Sequence, residues 1–308
     1  MLNLSFFGAS VTAQKTGYVS HFLNKAIADN QNFNISQHGY GSMHIKDAGM
    51  CFIDDVLTTN PNYCFIDWFS TGYIPKEQEL YTYLDNFRYK FIQNNCQIIF
   101  LLLGGSDSHI SNDRLVMYKQ TMQYSQKHHI PYINIYEHVK HTEPLSLYRD
   151  TVHTLDFGSE LYSHKIYKEF ISNILYKENL NFNNLIRTKY SEIKKLKIHQ
   201  KIIEHYIKIQ GTGELIGMYQ NVGPYSGIIK IEVNGNFYNE NIWDRWCYYE
   251  RKIIKIQKSF NDYINIVVSQ EDFDKSVAKQ QVSWDNKKIL KPIDYLYYIG
   301  HIDNIEIQ

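Results

Sequence analysis

The first 175 residues alternate between two hydrophobic patterns, and that alternation restricts the fold more than any other feature. Short, continuous apolar runs read as strands at Asn3–Gly8, Phe33–Gln37, Tyr63–Phe69, Gln97–Leu103 and Tyr132–Ile135. Stretches with apolar residues at helical spacing fall at Tyr18–Asp29, Asp47–Leu57, Lys76–Gln93, Asn112–Lys127 and Gly158–Leu175. Strands that are apolar throughout need cover on both faces, so the pattern predicts a parallel sheet between two helical layers. Asn60-Pro61 stops the second helix, and Ile130-Pro131 introduces the fifth strand.

The texture changes between residues 178 and 195, where a polar, aperiodic stretch precedes a lysine-rich one. Beyond it, β-type runs dominate at Ile202–Gln210, Leu215–Gln220, Gly227–Val233, Lys252–Gln257 and Tyr263–Val268. Turn signals separate them at Gly211-Thr212-Gly213, Asn234-Gly235-Asn236 and Asn261-Asp262. At 308 residues the chain also exceeds the common single-domain size of about 100–150 residues. The expectation is an α/β domain over residues 1–180 and a smaller all-β sandwich over residues 196–308.

Lys+Arg and Asp+Glu each total 32, so no basic excess marks a polyanion-binding protein, and nucleic acid is not an expected partner. The longest apolar run, Ile98–Leu103, is far short of the roughly 20 residues of a membrane span. Met1-Leu2-Asn3-Leu4-Ser5 lacks the basic start and apolar core of an export signal, which predicts a cytoplasmic chain. Cys51, Cys64, Cys96 and Cys247 have no Cys-x-x-Cys spacing and read as buried thiols in a reducing compartment.

In a parallel sheet, ligands bind beyond the carboxyl ends of the strands. The segments that follow the five strands are Gly8-Ala9-Ser10-Val11-Thr12, His38-Gly39-Tyr40-Gly41-Ser42, Ser70-Thr71-Gly72-Tyr73, Gly104-Gly105-Ser106-Asp107-Ser108 and Arg149-Asp150-Thr151-Val152-His153. All are small or polar, and one rim should gather them. Together they hold a hydroxyl, an imidazole, a carboxylate and glycine-flanked amides, which are the parts of a serine acyl-transfer site. A serine hydroxyl is a weak nucleophile and needs a base such as His153. The base needs an acceptor to fix its tautomer, and Asp150, three residues earlier, can turn back toward it. The tetrahedral oxyanion needs main-chain donors, which bare glycine turns present without obstruction.

Gly8-Ala9-Ser10-Val11-Thr12 resembles the first block, Gly-Asp-Ser-x-Thr, of the SGNH (GDSL-type) hydrolases, and Asp150-Thr151-Val152-His153 matches that family's last block, Asp-x-x-His. Gly41 fits the second-block glycine, and the resemblance covers residues 1–178. It implies a three-layer, flavodoxin-like fold with Ser10 as nucleophile, His153 as base and Asp150 as its orienter. It also implies an oxyanion hole from the amides of Ser10 and Gly41. Two positions depart from the pattern. Ala9 replaces the aspartate before the serine, and Gly72 stands where the third block carries an asparagine, so one side-chain donor to the oxyanion hole is missing.

Other site patterns fare less well. The chain contains no Gly-x-Ser-x-Gly nucleophile elbow. Gly39-x-Gly41 lacks the third glycine and the later acidic residue of a dinucleotide site. His138 and His141, beside Glu137, lack a third convincing ligand, so no metal is expected. In the second domain, Ile242-Trp243-Asp244-Arg245-Trp246-Cys247-Tyr248-Tyr249-Glu250-Arg251 interleaves aromatic and charged residues as sugar-binding surfaces do, and the same alternation also suits a sandwich core. Trp246, Arg251 and the rim residue Tyr73 are the candidate substrate contacts.

The sequence therefore predicts acyl transfer on carbohydrate through an acyl-Ser10 intermediate. The favoured form is an O-acetyltransferase acting on a capsular or surface polysaccharide, with acetyl-CoA as donor. The alternatives are a carbohydrate O-acetylesterase, which needs no cofactor, and a non-catalytic glycan-binding protein on a decayed scaffold.

Overall fold

The structure is a computed structural model that describes residues 1–177, 181–198, 205–222, 228–241, 251–255, 258–269 and 293–307. The chain divides into two compact units, Met1–Ser191 and Glu192–Gln308.

The first unit runs β1 (Leu2–Gly8), α1 (Tyr18–Ala28), β2 (Phe33–Gly39), α2 (Ile53–Leu57), β3 (Tyr63–Asp67), α3 (Glu77–Gln93), β4 (Gln97–Leu102), α4 (Asn112–His128), β5 (Tyr132–Asn134), α5 (Ile135–Val139), α6 (Pro144–Leu147) and α7 (Asp156–Glu169). A wider helical turn, Ile45–Gly49, precedes α2, and a similar turn, Phe170–Ile174, extends α7. All five strands are parallel, in the order β2-β1-β3-β4-β5. This is the α/β architecture the apolar runs predict. The order of connection reverses at β1, so the carboxyl ends of β1 and β3 flank the crevice where such sheets bind ligands.

Successive residues of β1 point to opposite faces. Phe6 packs edge-on against Tyr18 and Phe22 of α1 and stacks on Phe65 of β3 at 4.5 Å. Phe7, its neighbour, meets Phe87 and Phe91 of α3. Both phenylalanines are fully buried, each worth about 1.5–3 kcal/mol relative to exposure. The α1 face continues through α7, where Tyr162, Ile166 and Phe170 join the same core. Residues 181–191 close the unit against α3. Arg88, 1% exposed, donates to the carbonyls of Asn181, Asn183 and Asn184, and Asn86 accepts from the hydroxyls of Thr188 and Ser191. Cys51, Cys64 and Cys96 are free and buried; Cys247 lies outside the described residues.

Among the described residues the second unit is all β: β6 (Lys194–Lys197), β7 (His205–Val222), β8 (Ile228–Val233), β9 (Asn236–Asn241), β10 (Arg251–Lys255), β11 (Lys258–Phe260), β12 (Tyr263–Ser269) and β13 (Ile293–Ile307). The pairings among these strands are antiparallel, around the long strands β7 and β13. Asn234 and Gly235, with φ of 48° and 79°, make the hairpin turn between β8 and β9 that the sequence marks. Gly211-Thr212-Gly213 is different. It reads as a turn, yet β7 runs straight through it. Gly211 (φ 143°) pairs with Ile302 of β13 and Gly213 with Gly300 (φ 111°), and a Cβ on Gly211 or Gly300 would collide with the opposite backbone. These glycines serve close strand crossing and a bulge rather than chain reversal. No helix among the described residues is long and apolar enough to cross a membrane.

Candidate active site

The turn after β1 forms because two glycines let it fold back on the strand ends. A Cβ on Gly8 would lie 2.5 Å from Thr12 Oγ1 and 2.9 Å from Asp67 Cβ, and one on Gly39 would overlap the main chain of Ala13. Main-chain bonds then lock the turn: Ala9 N to Asp67 O (3.1 Å), Ala13 N to Ala9 O (3.0 Å) and Tyr40 N to Gly8 O (2.9 Å). Half-buried Ser10 lies in this turn. Gly41 is beside it, since a Cβ built on Gly41 would sit 3.9 Å from Ser10 Cβ with nothing nearer. Neither the Ser10 nor the Gly41 N–H has a hydrogen-bond acceptor among the described residues.

Asp150 and His153 come from a self-closing loop before α7. Tyr148 bridges Thr154, Arg149 N donates to His153 O (3.0 Å), and Leu155 N donates to Leu147 O (2.8 Å). Inside it, Asp150 Oδ1 accepts the N–H groups of Val152 (3.0 Å) and His153 (2.8 Å). The same carboxylate meets His153 Nδ1, at 3.0 Å from Oδ1 and 2.9 Å from Oδ2. Partial burial pushes the Asp150 carboxyl up, but these bonds outweigh it and hold the group below its ordinary value. The His153 side chain keeps 24% of its surface exposed, so a substrate can reach it.

Gln14 joins the two turns. Its Nε2 donates to Thr154 O (3.1 Å), and its Oε1 accepts from Thr154 N and Thr154 Oγ1, both at 3.3 Å. Gln37 of β2 in turn donates to the carbonyls of Thr12 and Gln14. Among the described residues no hydrogen bond links Ser10 with His153. Catalytic hydrogen bonds are often long before substrate arrives.

Buried polar residues outside the sequence motifs support the loops of the rim. Arg114 of α4, 2% exposed, donates to the carbonyls of Phe69, Thr71 (2.6 Å) and His109 (3.1 Å). It thereby ties the loop after β3 to the loop after β4, and Ser106 N on the latter donates to Thr151 O at 2.9 Å. Burial and the Arg114 charge push His109 down to about 4, against the opposing pull of Asp150 nearby. His109 is therefore neutral near pH 7, and its Nε2 has no partner among the described residues. Asp67, fully buried at the end of β3, accepts from Thr12 Oγ1 (3.1 Å), and desolvation raises it to about 7. His109 was visible in principle, one residue beyond the quoted loop after β4. Arg114, Asp67 and Gln14 carry no motif.

Gly72 is exposed, with open space where a side chain would stand. Of the hydroxyls that could replace the absent asparagine, Thr71 Oγ1 is directed to the carbonyls of Trp68 and Tyr73, both at 3.4 Å, and Ser70 Oγ is buried without a partner among the described residues. Tyr73 carries Lys46 Nζ over its ring at 4.5 Å. Arg251 opens β10 in the second unit, its side chain lying outside the described residues, as does all of Trp246. Glu137 pairs with Lys140 at 2.6 Å, and no group of three or more His, Cys, Asp or Glu among the described residues could hold a metal ion.

No protein-family model matches the sequence, and no curated protein matches it. Solved structures do. A two-domain esterase (CEX) active on acetylated mannans superposes with a TM-score of 0.70 at 12% identity, covering 98% of this chain and 92% of that one. The same esterase co-crystallized with mannopentaose gives 0.68 at 13% identity, covering 98% and 91%. The α/β unit followed by an all-β unit is thus a fold shared across nearly the whole chain.

Proposed function

We propose that the protein is a serine-dependent carbohydrate O-acetylesterase. The observation that carries this reading is the Asp150–His153 pair, held against the Ser10 turn by Gln14. In the proposed reaction Ser10 Oγ attacks the acetyl carbonyl while His153 Nε2 takes its proton. The amides of Ser10 and Gly41 receive the oxyanion. Collapse breaks the bond to the sugar oxygen, which leaves with the proton from His153 and strands the acetyl group on Ser10. Water repeats the sequence: His153 takes its proton, acetate departs and Ser10 recovers its hydrogen. Asp150 fixes the imidazole through Nδ1. With Gly72 in the third block the hole has main-chain donors only, and one missing donor raises a barrier by about 2.7–4 kcal/mol.

The likeness of nearly the whole chain to an esterase active on acetylated mannans supports an acetylated polysaccharide as substrate. It moves hydrolysis ahead of the transferase reading that the sequence favoured. Incubation with acetylated manno-oligosaccharides should release acetate, and Ser10→Ala should abolish the release. Full activity in Ser10→Ala would overturn the assignment. Acetate release suppressed by added sugar, with acetyl-CoA consumed and new sugar ester formed, would instead establish the transferase. Glycan binding without labelling of Ser10 by a phosphonate would establish a pure binder.

A further inference from the structure

We infer that Gln14 is a positioning residue, a carboxamide clamp that sets the distance between the nucleophile turn and the base loop; this inference rests on the serine-esterase reading above.

Ser10 and His153 lie far apart in sequence and share no hydrogen bond among the described residues, so something else must fix their separation. The Gln14 side chain uses both ends of its carboxamide on one residue, Thr154, across 140 positions of sequence. Thr154 directly follows His153 and is 4% exposed. Its Oγ1 also meets Ser159 Oγ of α7 at 2.6 Å, so the far end of the clamp is anchored in a helix. The near end is anchored as well. Gln37 of β2 holds the main-chain carbonyl of Gln14 at 3.3 Å, and Gly17 N donates to that same carbonyl at 3.1 Å. A continuous hydrogen-bonded path therefore runs from β2 through Gln14 to Thr154 and α7, passing one residue from His153 and four from Ser10.

The pairing is specific for an amide of this length. Thr154 presents a donor N–H, a donor hydroxyl and an acceptor carbonyl; a carboxylate at position 14 would set an oxygen against that carbonyl, and a shorter asparagine would not span the gap. A reaction that depends on in-line approach of two groups loses about 10²-fold in rate for a displacement near 1 Å, so slack at this joint registers in kcat before it registers in substrate binding.

The test compares the full-length protein with Gln14→Ala, Gln14→Glu and Thr154→Val on a small acetyl ester, with melting temperatures measured in parallel. Gln14→Ala and Gln14→Glu should lower kcat by about 10²-fold while KM stays within about twofold. Thr154→Val, which removes one of the three bonds, should do less, and combining it with Gln14→Ala should add little to Gln14→Ala alone. Independently of activity, the ¹⁵N resonances of the His153 ring should move in Gln14→Ala. Unchanged kcat in Gln14→Ala overturns the clamp, and so does a fall in kcat with the His153 signals unmoved, which reports general destabilisation. Wild-type inactivity or a fully active Ser10→Ala sinks the esterase reading instead, and the His153 resonances then decide the clamp alone.

Discussion

Asp150 Oδ1 performs two tasks at once: it receives the main-chain N–H groups that shape the loop and shares the imidazole of His153 with Oδ2. Asp150→Asn separates the tasks. An amide oxygen still accepts the main-chain bonds, but the side chain no longer enforces one imidazole tautomer. The melting temperature should hardly change while kcat falls by about 10⁴-fold, measured as acetate release. Asp67 allows a prediction of opposite character. Its folded value is raised to about 7 by burial, so the folded state holds a proton that the unfolded chain has released. Stability is then fullest below pH 4 on this account and declines as pH rises toward 7, by up to about 4 kcal/mol. Asp67→Asn removes that titration. Thermal melts across pH 4 to 8 should show the variant gaining on the wild type as pH rises, and parallel curves would refute it. Ser10, Asp150 and His153 could be picked out as candidates because each sits beside a strand end or helix start. Gln14 could not be, since a glutamine in a turn acquires meaning only when Thr154 is known to face it.

Helix α4 shows how an element can place a site that it does not enter. Its Arg114 binds carbonyls of two rim loops from below, and desolvation depresses the guanidinium from its ordinary value. Arg114→Met fills similar space and leaves three carbonyls without their donor. It should destabilise the unit by about 3 kcal/mol or more, read as a lower urea midpoint, and should lower activity through loosening of the loops after β3 and β4. The strands and most helices were readable from apolar periodicity because burial on two faces leaves few alternatives. The second unit was less readable. Gly211-Thr212-Gly213 carries a turn composition, but Gly211 answers to His301 and Gly213 to Ile299 on another strand, a long-range steric demand that local composition cannot express. The strand Ile293–Ile307 was overlooked for the related reason that Gly300, His301 and Asp303 interrupt its apolar pattern.

At the scale of the molecule, the first unit carries a core of its own between the sheet and the α1–α7 layer. Leu4, Phe6, Phe65, Leu101, Tyr162 and Phe170 all belong to one buried cluster that needs no residue beyond 191. Residues 1–191 expressed alone should unfold in one cooperative transition and retain turnover of a small acetyl ester; a broad, non-cooperative melt would show that the division is not a folding boundary. The covering of Arg88 by Asn181, Asn183 and Asn184 explains why the cut belongs after the polar stretch: a shorter piece would leave that guanidinium without its carbonyls. The loop from Tyr148 to Thr154 has a further consequence. Acid and imidazole arrive pre-aligned on a single ribbon of seven residues, closed by its own bridge. On the proposed reading such a cassette is portable: the surrounding walls could differ from one ester to another while the acid–imidazole pair stays as it is.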